Sequence, residues 1–117
     1  MGQPVVHFEI GCRDSGKTAE FFSKLFGWTM QPQGPAVNIN TGGAGGIQGH
    51  ITALGHEPHN YVTVYVEVED VAKYLADAVS LGGKKLVGPV TIPTGTFAWF
   101  SDLDGNIIAL WKPRATG

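Results

Sequence analysis

Apolar residues alternate with polar ones in two stretches of the chain and recur at helical spacing in two others. In Val5-Val6-His7-Phe8-Glu9-Ile10, one strand face carries Val6, Phe8 and Ile10, and the other carries Val5, His7 and Glu9. In Tyr61-Val62-Thr63-Val64-Tyr65-Val66-Glu67-Val68, four valines share one face, leaving Tyr61, Thr63, Tyr65 and Glu67 opposite. An aspartate follows each strand: Asp14 and Ser15 can cap the first helix, and Asp70 the second. Spacing predicts one helix over Thr18–Phe26 that stops at Gly27, and another over Val71–Leu81 that stops at Gly82.

Shorter β-type segments follow each helix. They are Ala36–Asn40 and Gly46–Thr52 in the first half, and Lys85–Val87, Thr96–Phe100 and Asn106–Trp111 in the second. Gln31–Ala36, rich in Pro and Gly, reads as a loop, and Asp104-Gly105-Asn106 as the turn before the last strand. The chain therefore repeats one pattern, strand, helix, then two or three strands. The break lies near Gly55 to His59, giving a single domain over 1–117 with repeat units 1–56 and 57–117. His56 and His59 fall in that link and read as solvated.

The 117 residues are enough for one hydrophobic core, and 43% hydrophobic against 15% charged residues describes a folded chain. A formal net charge of −2 gives no attraction for nucleic acid or an anionic membrane. With Cys12 the sole cysteine, neither an internal disulfide nor a cysteine-rich zinc site forms. No run is long and apolar enough to span a bilayer, and the start lacks the pattern of a signal peptide. These features point to a reducing cytoplasm.

The strand faces that do not cover helices are polar and aromatic. Gln48 and His50 alternate with Ile47, Gly49 and Ile51; Ala109 and Trp111 alternate with Ile108 and Leu110. Together with Tyr61, Tyr65 and Trp99 they suggest an enclosed lining rather than a washed outer face.

These segments resemble the vicinal oxygen chelate superfamily of glyoxalase, bleomycin-resistance and extradiol-dioxygenase-like proteins. The resemblance rests on Val6 to Ile10, Phe21-Phe22, Leu25 to Trp28, Gly45-Gly46-Ile47, Val66 to Val71 and Ala78 to Gly83. Its strongest part is Phe100-Ser101-Asp102-Leu103-Asp104-Gly105-Asn106-Ile107-Ile108-Ala109-Leu110-Trp111, with Leu103 where the family has Pro. It implies an α+β fold of two βαβββ units, curled mixed sheets around a central cavity, helices outside, and a homodimer.

The resemblance also implies a divalent ion held by His and Glu from both units. Here only His7 keeps a clear ligand position: Thr63 and Ala109 stand at two others, and Gln48 or His50 lies near the fourth. No cofactor is therefore expected, with a rearranged metal site of His7, His50 and Glu67 as the alternative. The expected function is small-molecule binding with a degenerate metal site, the ligand touching His7, Glu9, Gln48, His50, Thr63, Tyr65, Glu67, Trp99, Ala109 and Trp111. Alternatives are metal-dependent lyase or dioxygenase activity of the same superfamily, and metal-free acid–base catalysis by His7 or His50.

A rival signal is Gly11-Cys12-Arg13-Asp14-Ser15-Gly16-Lys17-Thr18, which satisfies the phosphate-binding pattern G-x-x-x-x-G-K-[ST] between a strand and a helix. Against it, only two helical stretches exist to feed a parallel sheet. Gly42-Gly43-Ala44-Gly45-Gly46 lacks dinucleotide-binding spacing and reads as a hairpin connection or a rim loop.

Overall fold

The computed structural model describes residues 2–53 and 60–115. Its elements run β1 (Val5–Gly11), α1 (Ser15–Phe26), β2 (Thr29–Gln33), β3 (Ala36–Asn40), β4 (Gln48–Thr52), β5 (Tyr61–Glu67), α2 (Val71–Ser80), β6 (Lys84–Ile92), β7 (Gly95–Ser101) and β8 (Ile107–Pro113). The order is βαβββ twice, an α+β fold. Two compact units divide these residues: 7–53 with 60–63, and 2–6 with 64–115. The expected break between repeats, with His56 and His59, lies outside the described residues.

In the first unit the strand order is β2-β3-β4-β1. β1 and β4 run parallel, with His7 opposite Gln48 and Glu9 opposite His50. The other two pairs are antiparallel. Alternation sets the faces: Phe8, Ile10, Val37, Ile39 and Ile51 point to the side that α1 covers with Ala19. Ile51 is fully buried there, and the rings of Phe22 and Trp28 stack with centroids 5.5 Å apart. His7, Glu9 and His50 are left on the opposite face by the same alternation.

The second unit repeats this with the order β5-β8-β7-β6. β5 and β8 are parallel and the remaining pairs antiparallel. Val68, Val71, Leu75, Ala98 and Leu110 form its core, and α2 packs over β6, β7 and β8. Val62, expected on a covered face, is instead 70% exposed at the start of β5.

The caps explain the helix ends. Asp14 and Asp70 have extended backbones, and their side chains accept the N–H of Lys17 and Lys73, each at 3.0 Å. α1 consequently begins at Ser15, three residues before its expected start. It ends at Gly27, whose φ of 72° is left-handed. At the end of α2, Gly82 N–H donates to Val79 and Gly83 N–H to Ala78, the paired bonds of a Schellman turn.

One expected loop is a strand. Gln31 to Gln33 belong to β2, which forms a hairpin with β3 through a turn at Gly34, φ 62°. The Pro-rich composition misleads because β2 is the outermost strand of its unit, where a residue without an N–H is tolerated. Each unit therefore has three strands after its helix.

Candidate functional site

The face of the first unit turned away from α1 holds a continuous polar chain. Glu9 is 97% shielded at its centre, with only 3% of its surface exposed. Its carboxylate takes the hydroxyl of Tyr61 on one oxygen and meets His50 Nε2 at 3.1 Å on the other. His50 Nδ1 lies 2.7 Å from His7 Nε2. Three strands thus supply one hydrogen-bonded series: His7 and Glu9 from β1, His50 from β4, Tyr61 from β5.

A carboxylate only accepts, and this orients every link. His50 carries its proton on Nε2 and gives it to Glu9, so the Nδ1 of neutral His50 is an acceptor. His7 then donates from Nε2 to His50. These tautomers follow from the partners of each ring.

The electrostatics agree with that direction. Burial lowers the pKa of His7 from 6.5 to about 4; the neighbouring His50 adds to the depression and Glu9 opposes it. Burial also raises Tyr61 far above the ordinary phenol range, reinforced by its hydrogen bond to Glu9 and the nearby Cys12. Tyr61 is a fixed donor and His7 a neutral imidazole near pH 7.

Gly11 makes room for Tyr61. A Cβ at Gly11 would collide with the Tyr61 ring, so only glycine lets the phenol lie against β1 and reach Glu9. Gly49 serves Phe8 in the same way on the helix side of the sheet. The sequence pattern groups Tyr61 with the aromatic lining, not with Glu9. The usable signal was its alternation with Thr63 and Tyr65, facing a glycine at the end of β1.

The other expected residues divide between the units. Gln48 is opposite His7 in register, but its amide oxygen accepts Thr41 N–H at 2.5 Å and ties down the β3–β4 connection. Thr63 is buried, at 2% exposure. In the second unit, Tyr65 and Trp99 both lie opposite Ala109 in register, and Glu67 lies opposite Trp111. The Tyr65 and Trp111 rings meet edge to face with centroids 6.4 Å apart. Tyr65, Trp99 and Ala109 are buried, and alternation along their strands points them away from the face that α2 covers.

The sequence pattern of the Glyoxalase/Bleomycin resistance protein/Dioxygenase superfamily matches residues 5–110, nearly the whole chain. The chain belongs to this superfamily.

Solved structures agree on the glyoxalase-type fold. One, described as an NAD-dependent benzaldehyde dehydrogenase from Legionella pneumophila, superposes with a TM-score of 0.70 at 12% identity, covering 92% of this chain and 98% of that one. Methylmalonyl-CoA epimerase from Mycobacterium tuberculosis gives 0.66 at 13% identity, covering 95% and 88%. A methylmalonyl-CoA epimerase in complex with methylmalonyl-CoA and NH4+ gives 0.66 at 16%, covering 98% and 97%. No curated protein matches in sequence.

Members of the superfamily often use a metal, so the donor set of this glyoxalase-type site matters. A divalent ion between two imidazoles needs each nitrogen at about 2.0–2.1 Å and further donors to complete its shell. Here the two facing nitrogens bond each other, and His50 spends its second nitrogen on Glu9. Ala109 has no donor atom in its side chain. Among the described residues no three His, Cys, Asp or Glu side chains are grouped to hold a metal.

The phosphate-loop match has another explanation. Gly16, Lys17 and Thr18 already lie in the first turn of α1, and the Asp14 carboxylate occupies the Lys17 N–H. An anion would have to displace a carboxylate that caps the helix. No helix among the described residues is long and apolar enough to cross a membrane.

Proposed function

We propose that the protein binds a small organic molecule against the His7–His50–Glu9–Tyr61 series, with no resident divalent ion. The observation that carries this reading is the 2.7 Å bond between His7 Nε2 and His50 Nδ1. It joins to each other the nitrogens that a metal would need. Thr63 and Ala109 support the same reading, as a weak donor and a side chain with none. The proposed ligand-contacting residues of the first unit are His7, Glu9, His50 and Tyr61 with Gln48 and Thr63; in the second unit they are Tyr65, Glu67, Trp99, Ala109 and Trp111. Aromatic rings in that set favour a planar or unsaturated ligand.

The test pairs two measurements on protein purified without chelator. Metal analysis is expected to find far less than one equivalent of nickel, zinc, iron or manganese. A thermal-shift panel of dicarbonyls, catechols and cationic drugs is expected to contain stabilising compounds, since a ligand of the native state raises the melting temperature. One equivalent of bound metal, removed together with ligand binding by His7→Ala, overturns the reading. Pairing with a second copy in the cytoplasm, as the resemblance implies, belongs to the same proposal; sedimentation tests the pairing.

A further inference from the structure

We infer that the second unit carries a separate anion site, where Thr91, Thr96, Lys112 and Arg114 take a small organic phosphate monoester. The site goes beyond the ligand reading above, because it lies on the other face of the second unit's strands. Alternation along β7 and β8 turns Trp99, Ala109 and Trp111 one way, and Thr96, Ala98, Leu110 and Lys112 the other. Ala98 and Leu110 belong to the core packed with α2, whereas Lys112, two residues further along β8, is exposed.

Strand register builds the site. Thr91 on β6 lies opposite Thr96 on β7, and Thr96 lies opposite Lys112 on β8. Three strands thus set two hydroxyls and an ammonium in one row across the sheet. Arg114 follows Lys112 by two positions, and its N–H donates to Thr94 O at 2.8 Å, so the ladder continues and keeps it on the same face. The row borders a cavity of about 400 Å³, whose walls also include Ile92, Pro93 and Pro113.

The walls of this cavity hold two cations and no carboxylate, in a protein whose formal net charge is −2. The lysines that do pair, Lys24 with Glu20 and Lys73 with Asp77, lie on the helices. Like charges side by side repel, and an anion between them removes that cost. The Thr91 and Thr96 hydroxyls are 3.2 Å apart. One donates to the other, which leaves the second hydroxyl hydrogen for a ligand. In the Gly11–Thr18 segment a carboxylate already occupies the Lys17 N–H; here no acidic side chain competes.

The ligand class follows from this donor set. Two positive charges match a phosphate monoester, which carries a charge of about −1.5 to −2 at pH 7 and three acceptor oxygens. A guanidinium bonds two such oxygens side by side, and an ammonium adds a point charge. Ile92 and the two prolines offer an apolar wall to the organic group of the ester. A volume of about 400 Å³ is in the range that small organic ligands fill, and is more than a bare phosphate needs.

The experiment is calorimetric titration at low ionic strength with phenyl phosphate, and with inorganic phosphate and phenol as its two halves. Phenyl phosphate is expected to bind at one site, inorganic phosphate roughly tenfold more weakly, and phenol not measurably. Lys112→Gln and Arg114→Gln are each expected to weaken phenyl phosphate about tenfold or more. Both side chains are exposed, so these variants should melt as wild type does. Lys85→Gln removes another exposed cation of β6 and is expected to leave the affinity unchanged.

Absence of saturable binding overturns the site. So does an equal loss in Lys85→Gln, which marks general surface attraction, or undiminished binding in both the Lys112 and Arg114 variants. Inorganic phosphate bound as tightly as phenyl phosphate overturns the ester as the ligand class.

Discussion

The ring of Tyr61 lies in the space that Gly11 leaves by having no side chain, and from there its hydroxyl reaches Glu9, 52 positions away in sequence. Replacing glycine by alanine inside a strand usually helps stability, since it restricts the unfolded chain. Here the sign reverses. Gly11→Ala is expected to destabilise by about 1–3 kcal/mol through overpacking against the ring. In a Tyr61→Ala background the penalty should largely vanish, and a double-mutant cycle by denaturant melts measures that coupling.

Stability should depend on pH through His7. Its folded pKa, about 4, lies below the unfolded value near 6.5, so between these limits the unfolded chain binds more protons. The contribution is complete above pH 6.5, declines as pH falls toward about 4, and changes no further below that. Discounted for partial solvent exposure, its size is about 1–3 kcal/mol. Melting temperatures of wild type and His7→Gln at pH 7 and pH 4.5 should converge at the lower pH relative to the higher one. Parallel pH curves for the two proteins would contradict the assignment.

The helix caps offer a separate measurement. Asp70→Ala should cost about 1 kcal/mol by removing the acceptor of Lys73 N–H. Asp14→Ala should cost about the same and expose the start of α1. With the cap in place, ATP with magnesium should not raise the melting temperature, and Lys17→Ala should leave that response unchanged. Stabilisation by ATP that disappears in Lys17→Ala would restore the phosphate-loop reading.

Ile51 is the fully buried side chain at the centre of the first unit's core. Ile51→Ala should lower stability by about 2–5 kcal/mol, the range for a core truncation that leaves a cavity. If the site depends on β4 being held flat under α1, the same change should also weaken ligand stabilisation, since His50 is its neighbour on that strand.

Much of this architecture was legible because local rules and tertiary packing agreed. Asp14, Asp70, Gly27 and Gly82 marked the helix ends by chemistry that acts within one turn. Alternation put Phe8 and Ile10 under α1 and His7 and Glu9 on the other side. What escaped depends on position within the sheet. Pro32 reads as a breaker unless its strand is known to be outermost in its unit, and Val62 reads as core by alternation with Val64 and Val66 although it is exposed. The site shows the same limit. His7, Glu9 and His50 were each identifiable as polar residues on one face, but which nitrogen meets which oxygen depends on the parallel register of β1 and β4. Tyr61 joined them only through a missing side chain at Gly11.

β2 and β6, each an end strand of its own unit, contain a proline, Pro32 in one and Pro89 in the other. An amide hydrogen is thereby missing from the ladder that a newly arriving chain would need in order to zip alongside. Fibrous stacking of one molecule onto the next is obstructed at each rim, and recruitment of a stranger's extended peptide is obstructed with it.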